Sequence, residues 1–431
     1  MKKLLLSILA SFLLVPSLIV PASLSAKSRS FKGDDINWSV NINKQQDSLR
    51  LTLLNLGLIS NIRHQRGLGL NLFYGAVHET MSGVHMSSLL NYANTANGLQ
   101  IGGLANLDKQ NANGLMVSGL INAIGGTAKG VQISGLTNIA GEQMDGVSIA
   151  GLMNISGEVM NGVQLSALMN ANSGTLKGVQ ASVLNNLGVD VRGVQSSMIS
   201  NIASQNIRGL QLAGVANIAY NVDRALQFSP LTNVCISNMN GMQFGLGNYA
   251  ENVKGTQVGM LNLSTGKVDG WQIGLVNHSK DTTAHKIGLV NITPRTRIQA
   301  MIFGSNTTKI NVAVRFKNSL NYSILGIGTH YFDMNDDFSG CLFYRTGLYF
   351  PLKNRFEISG DLGYFHIENF EDEHAETPDR LYSLQARLNL SYRILPKLSV
   401  FATTGYAMTR HYKKNKLFEN KGIIECGIIL F

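Results

Sequence analysis

Between Gly83 and Asn291 one ten-residue phrase recurs fourteen times, and any fold for this chain has to accommodate it. The phrase is clearest as Gly130-Val-Gln-Ile-Ser-Gly-Leu-Thr-Asn-Ile139. Its copies open at Gly83, Gly98, Gly114, Gly130, Gly146, Gly162, Gly178, Gly193, Gly209, Ala225, Gly241, Gly255, Gly270 and Ala284, spaced 14 to 16 residues apart. Each copy carries one central asparagine: Asn91, Asn106, Asn122, Asn138, Asn154, Asn170, Asn186, Asn201, Asn217, Asn233, Asn248, Asn262, Asn277 and Asn291. Ten copies also carry a glutamine in third place, among them Gln100, Gln132, Gln164, Gln180, Gln195 and Gln211. A fixed short period of this kind points to a repeat architecture before it points to any local motif.

Helix does not suit the phrase. Glycine recurs twice in most copies and would cost about 1 kcal/mol each time inside a helix. Apolar residues such as Val131, Ile133, Leu136 and Ile139 alternate as in a strand, then slip phase, then alternate again, which is how short strands joined by corners read. Two all-β architectures fit. In a β-solenoid each copy is one coil, coils stack about 4.8 Å apart, and fourteen of them reach roughly 65 Å. In a single large outer-membrane β-barrel each copy is one strand and one turn, with antiparallel neighbours.

Three features favour the solenoid. Antiparallel strands would make odd and even links differ, yet Gly141-Glu-Gln-Met-Asp145 and Gly157-Glu-Val-Met-Asn161 are alike. The interval from glutamine to asparagine is six residues at Gln132 and Asn138 but five at Gln257 and Asn262. A residue lost within a strand would turn every later side chain to the wrong face, whereas a corner absorbs it. Finally, Tyr220 and Phe228 are the only aromatics between Asn97 and Asn240, too few for the girdles of a membrane barrel. A solenoid of about 14 coils is therefore expected. Its asparagines should stack as a structural column, amide to carbonyl, while the glutamines are expected to face outward as a binding face.

Upstream, residues 1–26 read as a secretory signal: Lys2 and Lys3, then an apolar run, then small residues near Ala22 and Ala26. Residues 27–82 form an N-terminal segment whose two strand-like runs, 51–59 and 67–77, suit either a capping coil or strands that pair with the C-terminal region. Residues 83–293 are the repeats. After Pro294 aromatics become frequent and alternation strict. Tyr382, Leu384, Ala386, Leu388, Leu390, Tyr392 and Ile394 share one face of a strand, and Ser383, Gln385, Arg387, Asn389, Ser391 and Arg393 the other. Similar patterns at 298–303, 310–316, 321–331, 342–352, 356–364, 398–408 and 423–431 predict about eight antiparallel strands in residues 294–431. Tight connections alternate with long polar ones, the layout of a small outer-membrane barrel. The chain ends on Phe431, which resembles the terminal aromatic read by the barrel-assembly machinery.

The repeated phrase, after a signal segment and before an aromatic β region, resembles the bacterial surface-repeat proteins of Bacteroidota and spirochaetes. That resemblance implies export to the envelope, at the outer membrane or cell surface of a Gram-negative bacterium. It brings no established activity and no site residues.

Composition narrows the function further. The formal charge of +10, or +8 without Lys2 and Lys3, is spread along the chain with no basic run among aromatics, so nucleic acid is not an expected partner. Cys235, Cys341 and Cys426 are odd in number and scattered, and read as packing residues. His78-Glu79 lacks the second histidine of a zinc-protease helix, and no Gly-x-Ser-x-Gly elbow occurs. Two acidic loops, with Asp333, Asp336 and Asp337 in one and Glu371, Asp372, Glu373 and Glu376 in the other, have calcium-like chemistry but read as solvated charge. No cofactor, metal or catalytic residue is expected. The expectation is a non-enzymatic envelope scaffold or adhesin-like binder, with the outer membrane as partner and an extracellular glycan or matrix polymer as candidate ligand. The alternative is an outer-membrane pore in which the repeats are barrel strands.

Overall fold

The computed structural model describes residues 36–45, 51–318, 321–332, 338–352, 355–370, 378–413 and 415–431. The signal segment (residues 1–26), Asp333, Asp336, Asp337, Glu371, Asp372, Glu373 and Glu376 lie outside the described residues. No helix forms among those described. The strands before residue 293 make one parallel sheet of 22 strands, and the eight strands after it close into an antiparallel barrel. The fold is thus a β-solenoid followed by a β-barrel, and the repeats are not strands of a single large barrel. Two compact units divide the chain, Met1–Gly255 and Thr256–Phe431.

Within the first unit, equivalent residues of successive copies lie side by side. Gly162 pairs with Gly178, Gln164 with Gln180 and Met160 with Leu176, all in parallel register. Where a sixteen-residue coil follows another, the period of the sequence is the period of the ladder. The opening glycine makes the corner. At Gly146 φ is +132°, and a Cβ there would stand 2.0 Å from the carbonyl oxygen of Gly130 in the coil before. The Ala225 coil shows the alternative. The positive φ moves back to Arg224 (φ 49°), and the register shifts between Asp223 and Ala225.

The upstream runs resolve as further coils. Tyr74 to Ser87 pairs in parallel with Leu90 to Gly102, and Gly67 has the same positive φ of 118°. The strand Ile36–Gln45 pairs in parallel with residues 51–61. These segments extend the solenoid and take no part in the barrel.

The shortened copies behave as corners allow. Asn262 still pairs with Asn277, and Trp271 to Ile273 still pairs with residues 285 to 287. The lost residue comes out of the bend between the two columns.

The barrel strands are Arg297–Ser305, Thr308–Lys317, Asn321–Tyr331, Ser339–Pro351, Phe356–Asn369, Arg380–Leu395, Leu398–His411 and Leu417–Leu430. The first pairs with the last, Met301 opposite Ile429, which closes the sheet. Strict alternation sends one face of each strand inward and the other outward. In Arg380–Leu395 the buried residues are Leu381, Ser383, Gln385, Arg387 and Asn389, while Leu384, Leu388 and Leu390 are exposed. Charged and polar residues share the inside with a cluster of aromatic and aliphatic side chains, while the outside is covered by apolar residues, unlike the surface of a water-soluble barrel.

Candidate functional site

Three features of the chain have the chemistry to serve a function: the polar columns inside the solenoid, the aliphatic columns outside it, and the lumen of the barrel.

The asparagine column is continuous within each unit. From Asn91 through Asn106, Asn122, Asn138, Asn154, Asn170, Asn186, Asn201, Asn217 and Asn233 to Asn248, every Nδ2 donates to the next coil's Oδ1 at 2.8–3.0 Å. In the second unit Asn262 bonds Asn277 at 2.8 Å and Asn277 bonds Asn291 at 2.9 Å. Most also tie down the backbone: Asn138 donates to the Ile149 carbonyl at 2.8 Å and Asn154 to that of Leu165 at 2.7 Å. These side chains face inward and serve as structure. The Oδ1 of Asn91, at the start of the ladder, has no donor.

The glutamines are not on an outer face. Gln100, Gln132, Gln164, Gln180, Gln195 and Gln211 are all buried, which corrects the expected binding face. The physical reason is alternation. The third position of the phrase points inward because the second and fourth, such as Val131 and Ile133, point outward. Gln180 donates to Gln164 at 2.8 Å, Gln195 to Gln180 at 2.9 Å and Gln211 to Gln195 at 2.8 Å, so the amides satisfy one another. Where a neighbouring copy lacks glutamine the ladder stops. Ser148 and Met116 flank Gln132, whose buried Nε2 is left without a partner. Gln100 turns to Asp108 at 3.1 Å.

Asp108 is a carboxyl group fully enclosed in the solenoid, and its Oδ2 has no hydrogen-bond partner. Desolvation pushes its pKa up from 3.8 to about 7, against a smaller downward pull from Gln100. The folded chain therefore holds this proton more tightly than the unfolded chain. Its favourable contribution is complete below the unfolded value and is lost as pH rises towards about 7. Asp108→Asn keeps the bond to Gln100 and removes the titration. In urea unfolding the variant should gain on the parent by at most about 1.4 kcal/mol per pH unit up to neutrality, then hold a constant advantage. Equal midpoints at pH 5 and pH 8 would contradict the enclosed carboxyl.

Outside, the phrase presents aliphatic columns. Ile133, Ile149 and Leu165 in fourth place, and Leu104, Leu120, Leu136, Leu152 and Leu168 in seventh, are exposed. At one end Leu70, Leu72, Met86 and Ile101 border a groove of about 470 Å³. The sequence pattern had marked these positions as apolar without revealing which side of the coil they occupy.

The barrel lumen holds an ion cluster. Arg345 grips Asp361 with two bonds of 2.9 Å and reaches Glu425 at 2.8 Å. Arg387 meets the other oxygen of Glu425 at 3.3 Å. Tyr322 and Asn389 donate to Asp361 at 2.7 and 2.8 Å. Towards one end Arg315 bonds Glu357 at 3.0 Å, and Lys317 pairs with the same carboxylate. Aromatic rings fill the remaining space: Phe343 stacks on Phe365 with centroids 4.7 Å apart, and Phe303 meets Phe343 and Phe401 edge-on. The space left beside Arg345 and Tyr322 is about 10 Å³, at most one water. Long-range ion pairs across a barrel give no signal in sequence, because their members lie up to 80 residues apart.

Phe431 follows the last strand at the barrel end. Its amide donates to the Lys397 carbonyl at 3.2 Å, and its ring is partly exposed. Of the three cysteines Cys235 and Cys341 are buried, whereas Cys426 is exposed on the barrel's outer face.

No protein-family model matches the chain, and no curated protein matches it either. Among solved structures it is similar to a de novo designed transmembrane β-barrel, at 15% identity and a TM-score of 0.21 over 32% of this chain and 95% of that one. It is also similar to the crystal structure of Neisserial surface protein A, at 10% identity and a TM-score of 0.23 over 31% of this chain and 93% of that one.

Proposed function

We propose that this is a non-enzymatic outer-membrane protein: the barrel is a closed anchor, and the solenoid is the scaffold it holds at the cell envelope. The observation that carries the reading is the inverted barrel. Ile298, Ile310, Ile327, Leu342, Leu362, Leu388 and Ile424 stand exposed on its outside, while Arg345, Arg387, Asp361 and Glu425 are sealed within. In water that arrangement is unfavourable; in hydrocarbon it is the stable one. Each strand runs 9 to 16 residues, enough to cross an apolar core when tilted. The ion cluster and the aromatic rings that occupy the lumen favour an anchor over a pore.

An adhesin-like role then falls to the solenoid's outer surface, since the glutamines are enclosed. Charged links such as Glu142 and Lys177, which are exposed, are the polar surface open to a glycan or matrix ligand.

The test has two readouts on the full chain. Folded into lipid, it should migrate differently on gels before and after boiling, as closed membrane barrels do, and planar bilayers should carry no steady current. With Cys235, Cys341 and Cys426 replaced, Glu142→Cys and Lys177→Cys on intact cells should react alike with a membrane-impermeant maleimide. A large, steady conductance overturns the anchor reading. Label reaching these sites only after the outer membrane is opened overturns display at the surface.

A further inference from the structure

Gly360 stands within the barrel strand Phe356–Asn369, between the buried Ser359 and Asp361, and so on the outward phase. Nothing in the fold asks for glycine there. Its φ is not positive, and the ladders to both neighbouring strands run past it without a shift of register. A Cβ would meet nothing nearer than the Arg387 carbonyl oxygen, at 3.6 Å. Every other glycine of the barrel strands except Gly422 would place one at 3.0 Å or less from a neighbour. Glycine weakens a strand interior, and where neither a bulge nor a close backbone neighbour accounts for it, the remaining reason is the close approach of a ligand.

The missing side chain opens a trough in the outer wall. Leu348 and Leu388 stand opposite Gly360 on the two adjacent strands. With Leu362 at one end, and Ile358 and Phe350 towards the tight turns, they border a groove of about 750 Å³. At the tight-turn end Arg355 and Arg393 close the strand pair, the Arg393 amide donating to the Arg355 carbonyl at 3.0 Å. Lys397 sits in the next turn, and all three cations are exposed. Glu357, the carboxylate nearest to them in sequence, is committed to Arg315 and Lys317, and the described residues offer the three cations no ion pair. Between cations and trough, Phe356 and Tyr392 pack with ring centroids 4.8 Å apart, in keeping with the aromatic belt of a membrane–water interface.

We infer that the trough holds one acyl chain of an anionic phospholipid, whose phosphate rests on Arg355, Arg393 and Lys397. The site rests on the barrel spanning a membrane, and its dimensions suit a single lipid. From Arg355 to Gly360 the strand runs about 17 Å. At a tilt of roughly 40° that is about 13 Å below the rim, inside the roughly 15 Å that one leaflet adds to the apolar core. Short turns face the periplasm in outer-membrane barrels, so the lipid belongs to the periplasmic leaflet. Guanidinium groups take phosphate oxygens in pairs, and three cations without a counter-charge favour a net negative head group over a zwitterionic one. A second barrel is the competing occupant, and it fits less well. Two barrels inserted in the same direction would bring their cationic rims side by side, at an electrostatic cost.

The experiment folds the full chain into phosphatidylcholine vesicles holding one part in five of phosphatidylglycerol, then releases it into mild detergent for native mass spectrometry. A change of gel mobility on boiling first shows that each variant has inserted. The parent should carry one phosphatidylglycerol, at least fivefold more often than one phosphatidylcholine after correction for supply. Arg355→Gln, Arg393→Gln and Lys397→Gln together should abolish that preference. Gly360→Leu fills the trough, leaves the rim charged, and should cut the bound lipid at least fivefold. Gly422→Leu adds the same bulk elsewhere on the outer wall and should change nothing; an equal loss there overturns the trough. Equal retention of the two lipids by the parent, or a series of several lipids with no single one held, means an ordinary annulus and overturns the site. An unchanged preference in the rim variant, or unchanged binding in Gly360→Leu, does the same. A dimer without lipid gives the trough to a second barrel and overturns the inference. A chain that never inserts overturns the membrane reading itself, whereas one that inserts and holds no phosphatidylglycerol overturns this site alone.

Discussion

Asn154→Leu should destabilise the solenoid by about 4 kcal/mol, although the replacement is close in volume and more apolar. Asn154 gives its two amide hydrogens to the Leu165 carbonyl at 2.7 Å and to Asn170 Oδ1 at 2.9 Å. Its own oxygen accepts from Asn138 at 3.0 Å and from Ser148 at 2.7 Å. Leucine removes all four bonds and leaves the Leu165 carbonyl, Asn170 Oδ1, Asn138 Nδ2 and Ser148 Oγ without those donors or acceptors in a site closed to water. Each abandoned group costs about 1–3 kcal/mol, and the sum is reduced because neighbours relax together. The damage should be local, since each coil touches only the coils beside it. Hydrogen exchange should quicken in the coils of Gly146 and Gly162 and stay slow in the Gly209 coil. Asn185→Ala is the control. That asparagine is half-buried and accepts one bond, from Ser200 at 2.6 Å, so it should cost well under about 1.5 kcal/mol. If the two variants unfold at the same urea concentration, the ladder is not what holds the coils.

The asparagine column was legible because a polar residue fixed in one place of every copy has few uses other than stacking. The eight barrel strands were legible for a different reason: period-two alternation reports a strand directly, and each expected strand overlaps an observed one, with most observed bounds reaching a few residues further. The glutamines misled. Polarity ordinarily signals exposure, but a primary amide carries both a donor and an acceptor, so stacked copies satisfy one another and can be enclosed. Gln164, Gln180, Gln195 and Gln211 do so; Gln132, flanked by Ser148 and Met116, shows what happens when the stack is interrupted. The same ambiguity hid the outer face. Val131 and Ile133 read as core from hydropathy alone, and only the corner at Gly130 decides that they turn outward. In the barrel, alternation separated the two faces of the strand at 382–394 without saying which was inside, and the answer depends on the solvent around the barrel.

Arg345→Met should unfold the barrel more readily by about 3–5 kcal/mol, the cost of removing one partner from a buried ion pair. Arg345, Asp361 and Glu425 each have side chains no more than 1% exposed. Removal of the guanidinium leaves two carboxylates facing each other, with Arg387 bonded to only one of them. The cluster is not thereby a source of net stability. Enclosing charges costs solvation that their attraction returns only in part, and buried ion networks have been replaced by apolar side chains at no loss. The combined variant Arg345→Met, Arg387→Met, Asp361→Leu and Glu425→Leu should therefore recover most of what the single change loses. The measurement is the urea midpoint of the folded gel band in lipid vesicles for the parent, the single variant and the fourfold variant. A fourfold variant as weak as the single one would mean that the charges stabilise the barrel outright. Recovery, together with bilayers that stay non-conducting, would mean that the cluster's work is to fill the lumen and fix the strand register around it, in keeping with an anchor that passes nothing.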